Sequence, residues 1–246
     1  MHRWTGVALG VAAVVLYALV GIPQGGTDSH WPFAQAFLQG RLHVDGPYPW
    51  LELVPRPGGG WYTPFPPLIS LVMLPFAAVN LYVDTGAVAA LFGGASVALV
   101  WMLLDRLGVA RGPRVGLTIG WAVGSEVLWV AGTGGQHLAP QVASAALMLG
   151  TLVLAVDRRL PFWAGLLLGA AVAARVPAAL ALPLALWLYR PGQVAKRSSL
   201  RPWLLLLAGW AIPLAGLAWY NTVRFGSPVE FGYGLIRNVA GESVLD

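Results

Sequence analysis

Only a handful of side chains in this sequence can carry chemistry. Asp28 stands a few residues beyond the first apolar run, where a carboxylate can accept a proton or cap a helix. His30, two residues on, reads as an interfacial polar group. Gln136 and His137 follow Gly132-Thr133-Gly134-Gly135. Glycines let a ligand approach the backbone closely, and the His137 ring can hydrogen-bond a phosphate or a sugar; the same residues can equally form a capped tight turn. Glu126 falls inside an apolar stretch, where a carboxylate is costly and is either functional or paired with a buried polar group. Arg175 interrupts another apolar stretch, which suits an anionic partner or a side chain reaching up to lipid headgroups. Arg41 can play the same part, Arg224 reads as a structural anchor, and Tyr62 as a substrate contact or an aromatic at headgroup level.

Several chemistries are excluded. The chain has no cysteine, so disulfides, thiolate metal sites and cysteine nucleophiles are absent. Its four histidines, His2, His30, His43 and His137, include no i, i+4 pair, and no metal site is expected from them. Gly58-Gly59-Gly60 and Gly132 to Gly135 lack the Lys-Ser/Thr of a phosphate-binding loop, and no serine sits in a Gly-x-Ser-x-Gly elbow. The net charge of +5 does not point to nucleic acid, because the basic residues lie in short loops between apolar stretches.

The elements that must position these residues are set by composition. Of 246 residues, 57% are hydrophobic and 10% charged, against roughly 45–50% and 25% in a soluble domain. The sequence is therefore expected to be an all-α integral membrane protein, a single polytopic domain over 1–246. The first apolar run, 4–22, is read as a retained signal anchor. Six more follow at about 85–104, 115–131, 139–156, 160–174, 176–189 and 203–220. Pro66 to Val79 is ambiguous. If it stays on the outer surface, ten of the fifteen basic residues face the cytoplasm: Arg3, Arg106, Arg111, Arg114, Arg158, Arg159, Arg190, Lys196, Arg197 and Arg201. If it crosses, only Arg3, Arg175, Arg224 and Arg237 do. As one helix, 160–189 would span about 45 Å at 1.5 Å per residue; a turn at Arg175-Val176-Pro177 instead makes two short helices and keeps 190–201 inside. Seven transmembrane helices result, with the N-terminus in the cytoplasm, the C-terminus outside, and Asp28, His137 and Arg175 on one face.

The first outer loop, 23–84, carries juxtamembrane helices. Trp31, Phe33, Ala34, Phe37 and Leu38 give one amphipathic helix over 28–38, with Thr27 or Asp28 as N-cap, ended by Gly40 and lying along the membrane surface. Pro47, Pro49, Pro55, Pro57 and the flexible Gly58-Gly59-Gly60 lead to Trp61-Tyr62. Gly93-Gly94 and the pair Gly165 and Gly169 read as sites of close helix packing.

The order of several short strings resembles the GT-C superfamily of polyprenyl-phosphate-sugar-dependent glycosyltransferases, in particular the protein O-mannosyltransferase and aminoarabinose-transferase-like family. They are Thr27-Asp28-Ser29, Ala36-Phe37-Leu38-Gln39-Gly40-Arg41-Leu42, Pro64-Phe65-Pro66-Pro67-Leu68, Gly165-Leu166-Leu167-Leu168-Gly169, Ala174-Arg175-Val176-Pro177, Trp219-Tyr220-Asn221 and Arg224-Phe225-Gly226-Ser227-Pro228. The resemblance implies an inverting transfer of a sugar from a polyprenyl-phosphate donor to a hydroxyl on a glycan, lipid or protein acceptor. It makes Asp28 the general base and Arg175, with Arg41, His137, Gln136 and Tyr62, the donor-phosphate or substrate contacts. It leaves any divalent-metal requirement open. Family members continue for several more helices, so the tail 221–246 is read as truncated, and a separate C-terminal partner stays open as an alternative. The composition, rich in Ala, Gly, Arg and Pro, points to a bacterial plasma membrane. Two other readings stay open: a non-catalytic or split membrane scaffold, and a transporter of lipid-linked substrates.

Overall fold

The computed structural model describes residues 3–21, 28–46, 52–190 and 200–236. The chain is mostly helical, 73%. In order come α1 (Arg3–Val20), α2 (His30–Leu38), the strands β1 (Val54–Pro55) and β2 (Trp61–Tyr62), α3 (Leu68–Ala78), α4 (Thr85–Arg106), α5 (Arg111–Val123), α6 (Val127–Thr133), α7 (Gly135–Val156) and α8 (Pro161–Ala174). A 3-10 turn over Val176–Ala181, α9 (Leu182–Leu188), α10 (Arg201–Phe225) and a second 3-10 turn over Tyr233–Leu235 complete it.

Small residues set the packing. α4 lies between α1 and α7, α7 packs on α8, and α8 on α10. A Cβ on Gly10 of α1 would sit 2.8 Å from the Gly94 carbonyl of α4, so the two backbones touch. At the α8–α10 crossing a methyl on Gly165 would run into the Leu206 carbonyl, and one on Gly209 into the Phe162 carbonyl. Large apolar side chains face outward instead, among them Trp4, Leu19, Leu204, Ile212 and Trp219. Such a surface is stable against lipid rather than water.

Three helices, α4, α7 and α10, are long and apolar enough to cross a membrane, and α5 with α6 makes a fourth if that bent pair is one span. α8 has 14 residues, about 21 Å at 1.5 Å per residue and short of a roughly 30 Å core. The break expected at Arg175 is present, with that residue extended at φ −147 and ψ 115. α3 covers 11 residues, too short to cross, and packs against α2.

Three expectations are corrected. The stretch 115–131 is not one helix: α5 and α6 meet at 45°, and Glu126 lies exposed in the break between them. The glycines at 58–60 are not a flexible linker but the turn of a hairpin in which Val54 faces Tyr62 and Pro55 faces Trp61, all three glycines at positive φ, so the chain is not purely helical. α2 buries His30, Phe33, Ala34 and Ala36 against the rest of the protein. Its N-cap position is Ser29, without a side-chain cap bond, while Asp28 accepts from the His30 N–H at 2.7 Å. Gly40, at φ +70, does end that segment. Thr27, Pro47, Pro49, Lys196 and Arg197 and the last ten residues lie outside the described residues.

Candidate functional site

The polar and charged groups separate to the two ends of the bundle. At one end Arg106 at the end of α4 pairs with Asp157 after α7 at 2.7 Å, Arg114 of α5 pairs with Asp105, and the Tyr189 hydroxyl donates to the Arg159 carbonyl. At the other end lie Asp28, the start of α4, the start of α7, Arg175 after α8 and the C-terminal turn of α10.

The second end holds a dense buried cluster. Asp28 is 8% exposed, and only one of its carboxylate oxygens is used: Oδ1 takes the His30 N–H, and Oδ2 has no partner among the described residues. Burial pushes the Asp28 carboxyl above the ordinary carboxylate range, opposed by His30 and the Thr85 hydroxyl, which favour the ionised form, and reinforced by Asp84. Thr85 also accepts the Gly135 N–H at 3.1 Å, tying the first residue of α4 to the first of α7. His30 is fully buried between α3 and α7. Its Nε2 lies 3.3 Å from the Gln136 carbonyl, which can only accept, so Nε2 carries the proton and Nδ1 accepts from the Ser70 hydroxyl at 3.3 Å. Burial lowers the His30 pKa, with Asp28 opposing, and the ring is held neutral.

The positive φ of Gly134 and Gly135 turns the chain sharply from α6 into α7 and presents Gln136 and His137 there. The His137 carbonyl accepts from Arg175 Nη2, its ring lies 4.9 Å from the Phe65 ring, and its Nε2 is 3.5 Å from Glu52 Oε2. That last contact is an ion pair when the imidazole is protonated. Tyr233 stacks its edge against Phe65 at 6.3 Å and feels both Arg175 and Glu52. Buried polar atoms without partners gather here: Asp28 Oδ2, Ser29 Oγ, Gln136 Oε1 and Arg175 Nε. Native structures satisfy most such atoms, so these four are open to a water or to a polar group of a ligand.

Arg41 and Tyr62 are placed elsewhere. Arg41 pairs with Asp45 and Gln39, and Tyr62 packs edge-on against Phe225 at 5.7 Å. Both line a groove of about 970 Å³ walled by Leu68, Leu71 and Leu74 of α3, Ala173 of α8 and Leu217 of α10. Arg56, whose Nη1 lies 3.3 Å from His43 Nε2, lines the same groove. The groove and the buried cluster adjoin: Pro67 and Leu68 border the groove while Phe65 faces His137, and Arg175 follows Ala173 by two residues.

Arg224 anchors this end. It donates to the Thr63 carbonyl, to Asn221 Oδ1 at 3.0 Å and to the Tyr220 carbonyl at 3.2 Å, and its guanidinium lies 3.5 Å from the Tyr220 ring centroid. The sequence-predicted set thus divides, with Asp28, Gln136, His137 and Arg175 together and Arg41 and Tyr62 in the groove. Glu52, Arg56, Ser70, Thr85 and Tyr233 join them without having been singled out. Glu52 sits among prolines with no periodic pattern, and Ser70 and Thr85 become polar neighbours only through folding. No protein-family model, curated protein or solved structure matches the chain.

Proposed function

We propose that the chain is an inverting glycosyltransferase of the GT-C type, spanning the membrane seven times with the Asp28 end extracytoplasmic, and drawing its sugar from a polyprenyl-phosphate donor. The observation that carries the reading is a buried carboxylate with a bare Oδ2, a few side chains from the buried, unpartnered Arg175 Nε, beside an apolar groove. The acceptor hydroxyl oxygen attacks the anomeric carbon, Asp28 Oδ2 takes its proton, and the bond from that carbon to the phosphate oxygen breaks. The electron pair leaves with the lipid phosphate, whose charge Arg175 neutralises. A raised pKa suits the task, because a carboxylate in its usual range is a weak base at neutral pH. The apolar groove, about 970 Å³, has the wall chemistry for an isoprenoid tail, and Arg41, Arg56 and Tyr62 line it toward the hairpin. The third crossing segment, α5 with α6, is read as one bent span, and α8 and the 176–188 segment as a short helical hairpin.

The test is an assay of the purified chain with a panel of polyprenyl-phosphate sugars, scoring binding and turnover in one preparation. Turnover of at least one donor is expected; binding of none would overturn the reading, and binding without transfer to any hydroxyl acceptor would reduce it to a lipid-binding module.

A further inference from the structure

The end of the bundle opposite Asp28 carries a second polar cleft, of about 550 Å³, lined by Val7 of α1, Trp101, Met102, Asp105 and Arg106 of α4, and Asp157 and Arg159 after α7. Its two carboxylates are already engaged. Asp157 takes Arg106 Nε at 2.7 Å, and Asp105 takes Arg114, whose guanidinium also lies 5.1 Å from the Trp101 ring centroid. Cationic donors are left over. Arg106 Nη1 is buried with no partner among the described residues, and among them the Arg159 guanidinium has no ion pair. Two arginines and two aspartates line the cleft, and Arg114 beside it neutralises Asp105, so the group of five carries one net positive charge. An orphaned guanidinium N–H beside a second guanidinium is the arrangement that holds two oxygens of one phosphate.

The surroundings say which kind of phosphate. Val7 lines the cleft, and from it an apolar stripe runs down α1 through Val11, Val15 and Leu19, 48%, 59%, 53% and 79% exposed. Residues four apart lie on neighbouring positions of one helix side, so this stripe leads from the cleft along the apolar length of the bundle, with none of the described residues covering it. A free anion would use the cleft alone. A phospholipid would use both, with its phosphate on Arg106 and Arg159 and an acyl chain along α1.

We propose that this cleft binds the phosphate of an anionic glycerophospholipid in the leaflet at that end. The site is independent of the Asp28 chemistry, and its test reads no transferase activity. The full chain, purified in neutral detergent and stripped of lipid, is titrated with phosphatidylglycerol, phosphatidylcholine and inorganic phosphate, and bound lipid is counted by native mass spectrometry. Phosphatidylglycerol is expected to bind in preference to both. Arg159→Gln should weaken it roughly tenfold, the loss of one hydrogen bond to a charged group, while Arg190→Gln, which removes the same charge outside the cleft, should change it less than twofold. Equal binding of phosphatidylcholine, or equal losses in the two variants, overturns the site. Inorganic phosphate binding as tightly as phosphatidylglycerol overturns the lipid assignment. Should Arg159→Gln not fold, the wild-type preference among the three ligands decides.

Discussion

Arg224 offers the clearest test of how the candidate site is held. Replacing it by Met keeps the length of the side chain and removes every donor. The Tyr220 carbonyl lies within helix α10 and keeps its helical environment, but the Thr63 carbonyl and Asn221 Oδ1 lose their guanidinium partner, and Thr63 and Asn221 are 3% and 0% exposed. A buried acceptor left without its donor costs about 1–3 kcal/mol, so two cost about 2–6 kcal/mol. Met avoids the desolvation cost of burying the guanidinium and makes an apolar contact, which offset part of this and leave a net loss of about 3 kcal/mol. For a chain of this size that corresponds to a fall of about 6–12 °C in the midpoint of thermal unfolding. Arg224→Lys, able to reach only one acceptor at a time, should fall in between. The assay is thermal unfolding of the detergent-solubilised variants, with hydrogen exchange of the 54–65 segment read in parallel. Loss of protection there is expected first, because Thr63 is the hairpin's tie to α10. A midpoint within 2 °C of wild type with unchanged exchange would refute the reasoning.

Three further outcomes follow from the same structure. Transfer activity should rise with pH along an acid limb set by Asp28 and lying above the ordinary carboxylate value of 3.8, since the base must be ionised and burial raises its pKa; an acid limb at or below that value would contradict the burial argument. The sign for stability is the reverse: a carboxyl raised on folding contributes stability below its unfolded pKa and loses it as pH climbs through the folded one, so Asp28→Asn should gain relative to wild type toward neutral pH and not at pH 3. Gly209→Ala should separate α8 from α10, because the added methyl meets the Phe162 backbone carbonyl rather than a side chain that can move; a cost of about 1–3 kcal/mol is expected in thermal unfolding, and no change would mean that the crossing is looser than described.

Apolar length and punctuation made much of the scaffold readable before folding was considered. α4 runs Thr85–Arg106 where 85–104 is expected, α7 runs Gly135–Val156 against 139–156, and α10 runs Arg201–Phe225 against 203–220. The break at Arg175 follows from the Pro177 that comes after it, and Gly40 stops its segment because only a positive φ continues the chain there. Signals too short or too distant were lost. Two-residue strands at Val54–Pro55 and Trp61–Tyr62 carry no alternation to detect, and the bend at Gly124–Glu126 is a three-residue interruption of a stretch that is apolar on both sides. His30 has the sequence context of an interfacial residue; its burial comes from α3 and α7, which supply Ser70 and the Gln136 carbonyl from far along the chain. The candidate site was legible as a set of residue types on one face, and half of its actual neighbours, Glu52 and Tyr233 among them, are products of packing.

The central claim, that Asp28 is the base of a sugar transfer at this end of the bundle, is tested most directly by single-turnover transfer in proteoliposomes containing wild type or Asp28→Asn. Asn keeps an oxygen to accept the His30 N–H and removes only the basic carboxylate. The expected result is a fall in transfer rate of about 10²–10⁴-fold, with donor binding and membrane insertion unchanged. A variant that transfers sugar at the wild-type rate contradicts the account.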